Sequence, residues 1–163
     1  MKKWVLLCCI GMLMSFSSEL TISDVRAIFK NAAFEEQACT KLIYSLKNQA
    51  SKHSVFAAYK ASGLMMNAKY VGNPLEKLST FSKGKKLLEQ TISKDPNNLE
   101  IRFLRLAMQV NTPSFLGYSD AIPRDKKFIL QNIKTESDPE LKNMIVVYLQ
   151  HSEVLSQAEK KHL

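Results

Sequence analysis

Turn-forming residues are scarce in this chain. Its 163 residues hold only five glycines and five prolines, and neither type occurs between Thr21 and Ser62. No stretch sustains the alternation of β-branched and polar residues that marks a half-buried strand, which argues against a sheet. Cysteine is scarcer still: of three, Cys8 and Cys9 lie in a leading apolar run and only Cys39 lies beyond it. A single remaining cysteine cannot form an internal bridge, so a disulfide framework is excluded for a chain that loses its leader. Local signatures of catalysis are missing too: there is no HExxH, paired CxxC, GxSxG, Walker-type or dinucleotide loop. His53, His151 and His162 are scattered along the chain. The expectation is a protein that is not an enzyme and uses neither cofactor nor metal.

The first residues are read as a leader. Met1-Lys2-Lys3 is a short basic start, Trp4 to Met14 an apolar core, and Ser15-Phe16-Ser17-Ser18 supplies small residues where a signal peptidase cuts. The apolar run is too short to span a bilayer comfortably. Residues 1–18 are therefore expected to be a cleavable signal peptide, and 19–163 a single domain with no stable transmembrane anchor. Cys8 and Cys9 follow Leu6-Leu7 inside the apolar core, whereas lipid attachment needs a cysteine at its end. The expected location is periplasmic or secreted. Removing Lys2 and Lys3 takes two from the formal charge of +8 and leaves +6, since all the acidic residues follow Ser18. An exported basic protein meets anionic lipid headgroups, cell-wall polymers or other proteins rather than nucleic acid.

What the sequence does contain is helical periodicity. Asp95 to Tyr118 (DPNNLEIRFLRLAMQVNTPSFLGY) is the stretch the rest is organised around. At about 100° per residue, Asn98, Arg102, Arg105 and Gln109 share one narrow stripe, and the remaining arc is almost wholly apolar. A helix that apolar is buried on several sides. Glu100 falls inside the apolar arc, where a carboxylate is costly unless paired. With Asn97 as N-cap it would complete a capping box; a buried pairing with Lys60, Lys69 or Tyr118 is the other reading.

Val25, Phe29, Ala32, Cys39, Ile43 and Leu46 keep helical spacing, read as two helices with a bend near Asn31 to Glu35. Ser51 or Ser54 can cap the next helix, about Val55 to Tyr70, whose Ala57, Ala58, Ala61 and Ala68 invite a close neighbour. Asn73-Pro74 with Glu76 reads as a capped helix start, and Gly84 in the middle of that helix implies a close crossing. Pro123 and Asp138-Pro139 start the last two helices, the second carrying Leu141, Ile145, Tyr148 and Leu155, with Lys160, Lys161 and His162 at its end. The fold class expected is all-α: a compact antiparallel bundle of about six or seven helices, without a sheet. Cys39 lies on an apolar face and is expected to be a buried, inert thiol.

Gly84, Leu88 and Thr91 followed by Asp95-Pro96-Asn97-Asn98 resemble the second helix and exit turn of a tetratricopeptide repeat, although the pattern does not recur at its period of about 34 residues. A longer set is more specific. Tyr59-Lys60-Ala61, Ala68-Lys69-Tyr70, Asn73-Pro74, Leu99 to Leu106, Pro113 to Tyr118 and Asp125-Lys126 resemble an uncharacterised family of small exported bacterial all-helical proteins. That resemblance implies export and a helical fold, and it supplies no mechanism.

The polar stripe must reach solvent or a cavity, and the loop after it carries Phe115 and Tyr118. Arg102, Arg105, Gln109, Phe115 and Tyr118 are therefore the candidate walls of a binding groove, with Glu100, Lys60 and Lys69 as structural polar residues. The expected function is a non-catalytic exported helical module that binds a protein or peptide. The alternative is a binder of an anionic envelope component, a lipid headgroup or cell-wall polymer, through a basic face.

Overall fold

The computed structural model describes residues 20–163; the expected signal peptide lies outside them. Among the described residues there are eight α-helices and no strand. They are α1 (Ile22–Ala32), α2 (Glu36–Ser45), α3 (Ser54–Asn67), α4 (Pro74–Lys94), α5 (Leu99–Val110), α6 (Ile122–Asn132), α7 (Pro139–His151) and α8 (Gln157–Lys160). Short 3-10 turns at Ser114–Leu116 and Ile133–Thr135 complete the set. None of the helices is long and apolar enough to cross a membrane.

Most helix starts follow the local chemistry. Thr21 and Asp24 form a reciprocal capping box at α1. Asn73 accepts from the Glu76 amide at 2.8 Å, with Pro74 in the first helical position of α4. Asp138 accepts from the Glu140 and Leu141 amides at α7. The bend between the first two helices falls at residues 33–35. At α3, neither expected serine is the cap: His53 holds that position without a side-chain bond, and Ser54 Oγ donates instead to Asp95 across the bundle at 3.0 Å. The chain also breaks at Ser152, which ends α7, so Lys160 belongs to the separate one-turn α8.

Helix direction follows from the cross-links. Arg26 of α1, Tyr59 of α3, Glu100 of α5 and Asp138 at the start of α7 meet in one cluster. At the other end, Lys69 after α3 donates to the Ala33 carbonyl after α1, and Asn111 after α5 donates to Tyr148 near the end of α7. The odd-numbered helices therefore run one way. The even-numbered ones return: Arg105 meets Asp125 while Arg102 stacks on Phe128, an antiparallel register for α5 and α6. We call the end where odd helices start the closed end and the opposite one the open end.

The α3–α4 pair is the most extensive in the bundle. A Cβ on Gly84 would stand 2.6 Å from Met65 Cγ and 2.7 Å from the Ala61 carbonyl oxygen, so only glycine allows this approach. The core threads all seven longer helices, with Val25, Leu42, Ala58, Leu88, Leu104, Ile129 and Ile145 buried. Cys39 is buried among them, donates to the Gly63 carbonyl at 3.2 Å, and has its thiol pKa pushed by burial up to about 11. A thiol held that high stays protonated and inert.

Candidate functional site

Helix α5 is the strut, and its polar residues are turned inward rather than out. The N-cap is Asn98, whose side chain accepts from the Ile101 amide at 3.1 Å. That shifts the helix start by one residue from the expected Asn97 and places Glu100 outside the capping-box position. Glu100 is instead the buried partner of a cation that the sequence reading did not single out. Arg26 donates from Nε to Oε1 at 2.7 Å and from Nη2 to Oε2 at 2.8 Å, a bidentate pair. Tyr59 Oη donates to Oε1 at 2.6 Å. Arg26 Nη1 continues to Asp138 at 2.8 Å and Glu140 at 3.1 Å, carrying the network to the surface. Neither Lys60, which is half-buried, nor Lys69, which is exposed and bonded to Ala33, belongs to it. The Arg26 pKa is raised, the hydrogen bond to Glu100 outweighing desolvation. Burial and then the adjacent Glu100 push the Tyr59 hydroxyl up.

A second cluster lies one turn further along. Arg105, with 2% of its surface exposed, donates from Nε to Asp125 Oδ2 at 2.6 Å and from Nη2 to Oδ1 at 2.8 Å. Its Nη1 reaches Glu89 on α4 at 2.9 Å. Arg102 Nη1 donates to the same Asp125 at 2.9 Å while its Nε bonds the Pro96 carbonyl at 2.6 Å. Tyr118 Oη closes the ring on Glu89 at 2.5 Å, and Lys85 sits 4.8 Å over its ring centre. Burial pushes the Tyr118 hydroxyl up, reinforced by Glu89.

The expected groove therefore does not form around these residues. Arg102, Arg105 and Tyr118 do come together, but as a knot of ion pairs about the buried Asp125 and the part-exposed Glu89. Gln109 is 3% exposed, with Oε1 unpartnered. Phe115 alone of the five stands in solvent, 84% exposed. The reason is that the stripe met carboxylates from α4 and α6, long-range partners that the α5 sequence does not announce. Asp125 stands out in the sequence only through the family resemblance. Chemically both clusters are saturated: each buried carboxylate already accepts from an arginine in a bidentate pair, and no group of His, Cys, Asp or Glu among the described residues is arranged to hold a metal.

The unused chemistry lies at the open end. Helix α4 has 21 residues against 12 in α5, and its C-terminal part is the one matched to α5 through Glu89 and Arg105. Its first turns consequently project past the ends of its neighbours, and every residue from Gly72 to Ser79 is exposed. Leu75 is 81% exposed and Leu78 is also in solvent. Beside them, Phe81 packs edge-on against Tyr118, with ring centres 6.2 Å apart, and Phe115 precedes Tyr118 by three residues in the same loop. Phe34, in the α1–α2 turn at the same end, is 83% exposed. A cleft of about 450 Å³ lies between the ends of α5 and α7, lined by Val110, Asn111, Val147, Tyr148 and His151 among others.

Compared with known proteins, the chain matches no family model, no curated protein and no solved structure.

Proposed function

We propose that this chain is a non-catalytic exported helical module that binds a protein or peptide partner. The observation that carries the reading is the separation of its two kinds of side chain. The arginines and acids that would serve a polar ligand are spent on one another inside the bundle, while Phe34, Leu75, Leu78 and Phe115 are held out in solvent at one end, with Tyr44 exposed at the other. Large apolar side chains gathered at one end of a folded chain mark an interaction surface. The family resemblance and the leader pattern support export, and in this reading α3 and α4 form the tetratricopeptide-like hairpin.

The test is capture of partners from a bacterial envelope extract on the immobilised protein at low and at high salt, alongside N-terminal sequencing of the exported form. A specific protein partner retained at high salt, and a chain beginning near Ser17 or Ser18, are the expected results. Loss of all capture at high salt would favour the anionic-component reading, because screening removes surface electrostatics and spares apolar contact. An intact Met1 start would overturn export.

A further inference from the structure

We infer that the docking surface is the outer face of α4 together with the Phe115 knob, and that it takes an acidic, leucine-bearing segment of another protein. The inference rests on the proposed function and names its surface and partner chemistry.

The projecting turns of α4 present Leu75 and Leu78 within about 60° of each other on the helix surface. Continuing down the same outward face, Lys85 and Lys86 lie about 20° beyond either leucine, and Lys83 further round. From Leu78 to Lys85 the helix rises by roughly 10 Å, so an apolar tip is followed by a basic flank. Among the described residues, Lys83 and Lys86 are exposed and in no ion pair. Of the acids nearest in sequence, Glu89 already holds Arg105 and Tyr118, while Glu76 accepts only from the neutral Asn73 amide at the helix cap. The face is therefore net basic, with Lys83, Lys85 and Lys86 against the single unpaired carboxylate of Glu76.

A linear segment can run down this face, setting apolar side chains against Leu75, Leu78 and Phe115 and carboxylates beside the lysines. A flat anionic membrane fits worse. Touching the projecting tip leaves Lys83 and Lys86 set back along the helix, and the end it would present is mixed in sign, with Glu35, Glu36, Glu76 and Asp120 exposed beside Lys69, Lys77 and Arg124. A second copy of this basic chain would bring lysines against lysines. Apolar contact supplies the affinity, and the lysines select the sign of the partner and speed its approach.

Fluorescence anisotropy of the intact protein with a labelled amphipathic peptide, leucines on one face and glutamates on the other, tests this directly. The counterpart peptide has lysine for glutamate, and vesicles of phosphatidylglycerol form a third arm. The Leu/Glu peptide should bind at least about ten-fold more tightly than the Leu/Lys peptide. Leu75→Ser with Leu78→Ser should weaken it by a similar factor at unchanged melting temperature, and Lys83→Glu with Lys86→Glu should erase the discrimination between peptides. Equal affinity for both peptides, no binding of either, preferred uptake on vesicles, or a dimer abolished by the leucine substitutions would each overturn the inference. An envelope partner that remains bound to the Leu75→Ser/Leu78→Ser protein would sink this surface while leaving the proposed function standing. Absence of any envelope partner would instead sink the function.

Discussion

The two ends of the bundle solve opposite problems. At the closed end, helix starts that carry charge converge, and the charge is neutralised internally: one arginine joins Glu100, Asp138 and Glu140, and a tyrosine completes the carboxylate. At the open end, α4 outruns its neighbours and leaves leucines in water that none of the described residues covers. Buried ion pairs contribute little net stability against an apolar replacement, yet removing one partner is severe. Exposed apolar residues do the reverse: their loss is harmless to the fold and costly to whatever binds them. One end fixes which helices meet, and the other is free to meet something else.

The sharpest way to break the contrast is at Glu100. Glu100→Ala and Glu100→Gln should each cost about 3–5 kcal/mol in urea melts, because Arg26 is left buried without its bidentate partner. Replacing the pair together, Arg26→Met with Glu100→Leu, should recover much of that. A cost below about 1 kcal/mol for the single changes would mean that the pair is solvated. Next in size is Gly84→Ala. The added methyl meets Met65 and the Ala61 carbonyl, and overpacking of this kind costs about 1–3 kcal/mol despite the gain in helix propensity. A stabilised variant would show that α3 and α4 slide apart without penalty.

Acid and base should then separate the clusters. Asp138, although desolvated, has its pKa lowered from 3.8 by hydrogen bonds from Arg26 and the α7 amides. Its contribution is present above that value and fades as pH falls below it. Tyr59, Tyr118 and Tyr148 are raised from 10.0, chiefly by burial, so their contribution is complete below pH 10 and is lost as pH climbs beyond it. Melting temperature against pH should show a plateau with both shoulders, and Tyr59→Phe should soften the alkaline one. The smallest effect belongs to the open end: Leu75→Ser and Phe115→Ser should move stability by less than about 0.5 kcal/mol. A larger loss would place these side chains in the core and remove them from any interface.

Much of the architecture was legible because it is local. Asn73-Pro74, Asp138-Pro139 and the apolar arc of α5 each declare themselves within a few residues, and Gly84 announces a close neighbour by being a poor helix former retained in mid-helix. The candidate site was less legible for a physical reason. The wheel correctly marks Arg102 and Arg105 as one stripe but cannot say whether it meets water or acid, and the answer lay in Glu89 and Asp125 on other helices. Glu100 was correctly marked as anomalous, while its partner Arg26 is 74 residues away. Arg26 borders the apolar face of α1, and an arginine at such an edge ordinarily reads as solvated. The projecting turns of α4 follow from unequal helix lengths in a fixed register, which only the assembled bundle reveals.

The Gly84 crossing also carries a message about time. It joins two helices that are consecutive in the chain through one short turn, so the loop that must close before Ala61 and Met65 can embrace it is small. The Arg26–Glu100–Asp138 cluster, by contrast, ties together segments up to 112 residues apart and must wait for nearly the whole chain. Loop-closure entropy thus orders folding from the α3–α4 hairpin outward. Changes at Gly84 should slow refolding, and changes at Arg26 should mainly hasten unfolding. The charged cluster is then the latch rather than the seed, the last bond made and the first to release.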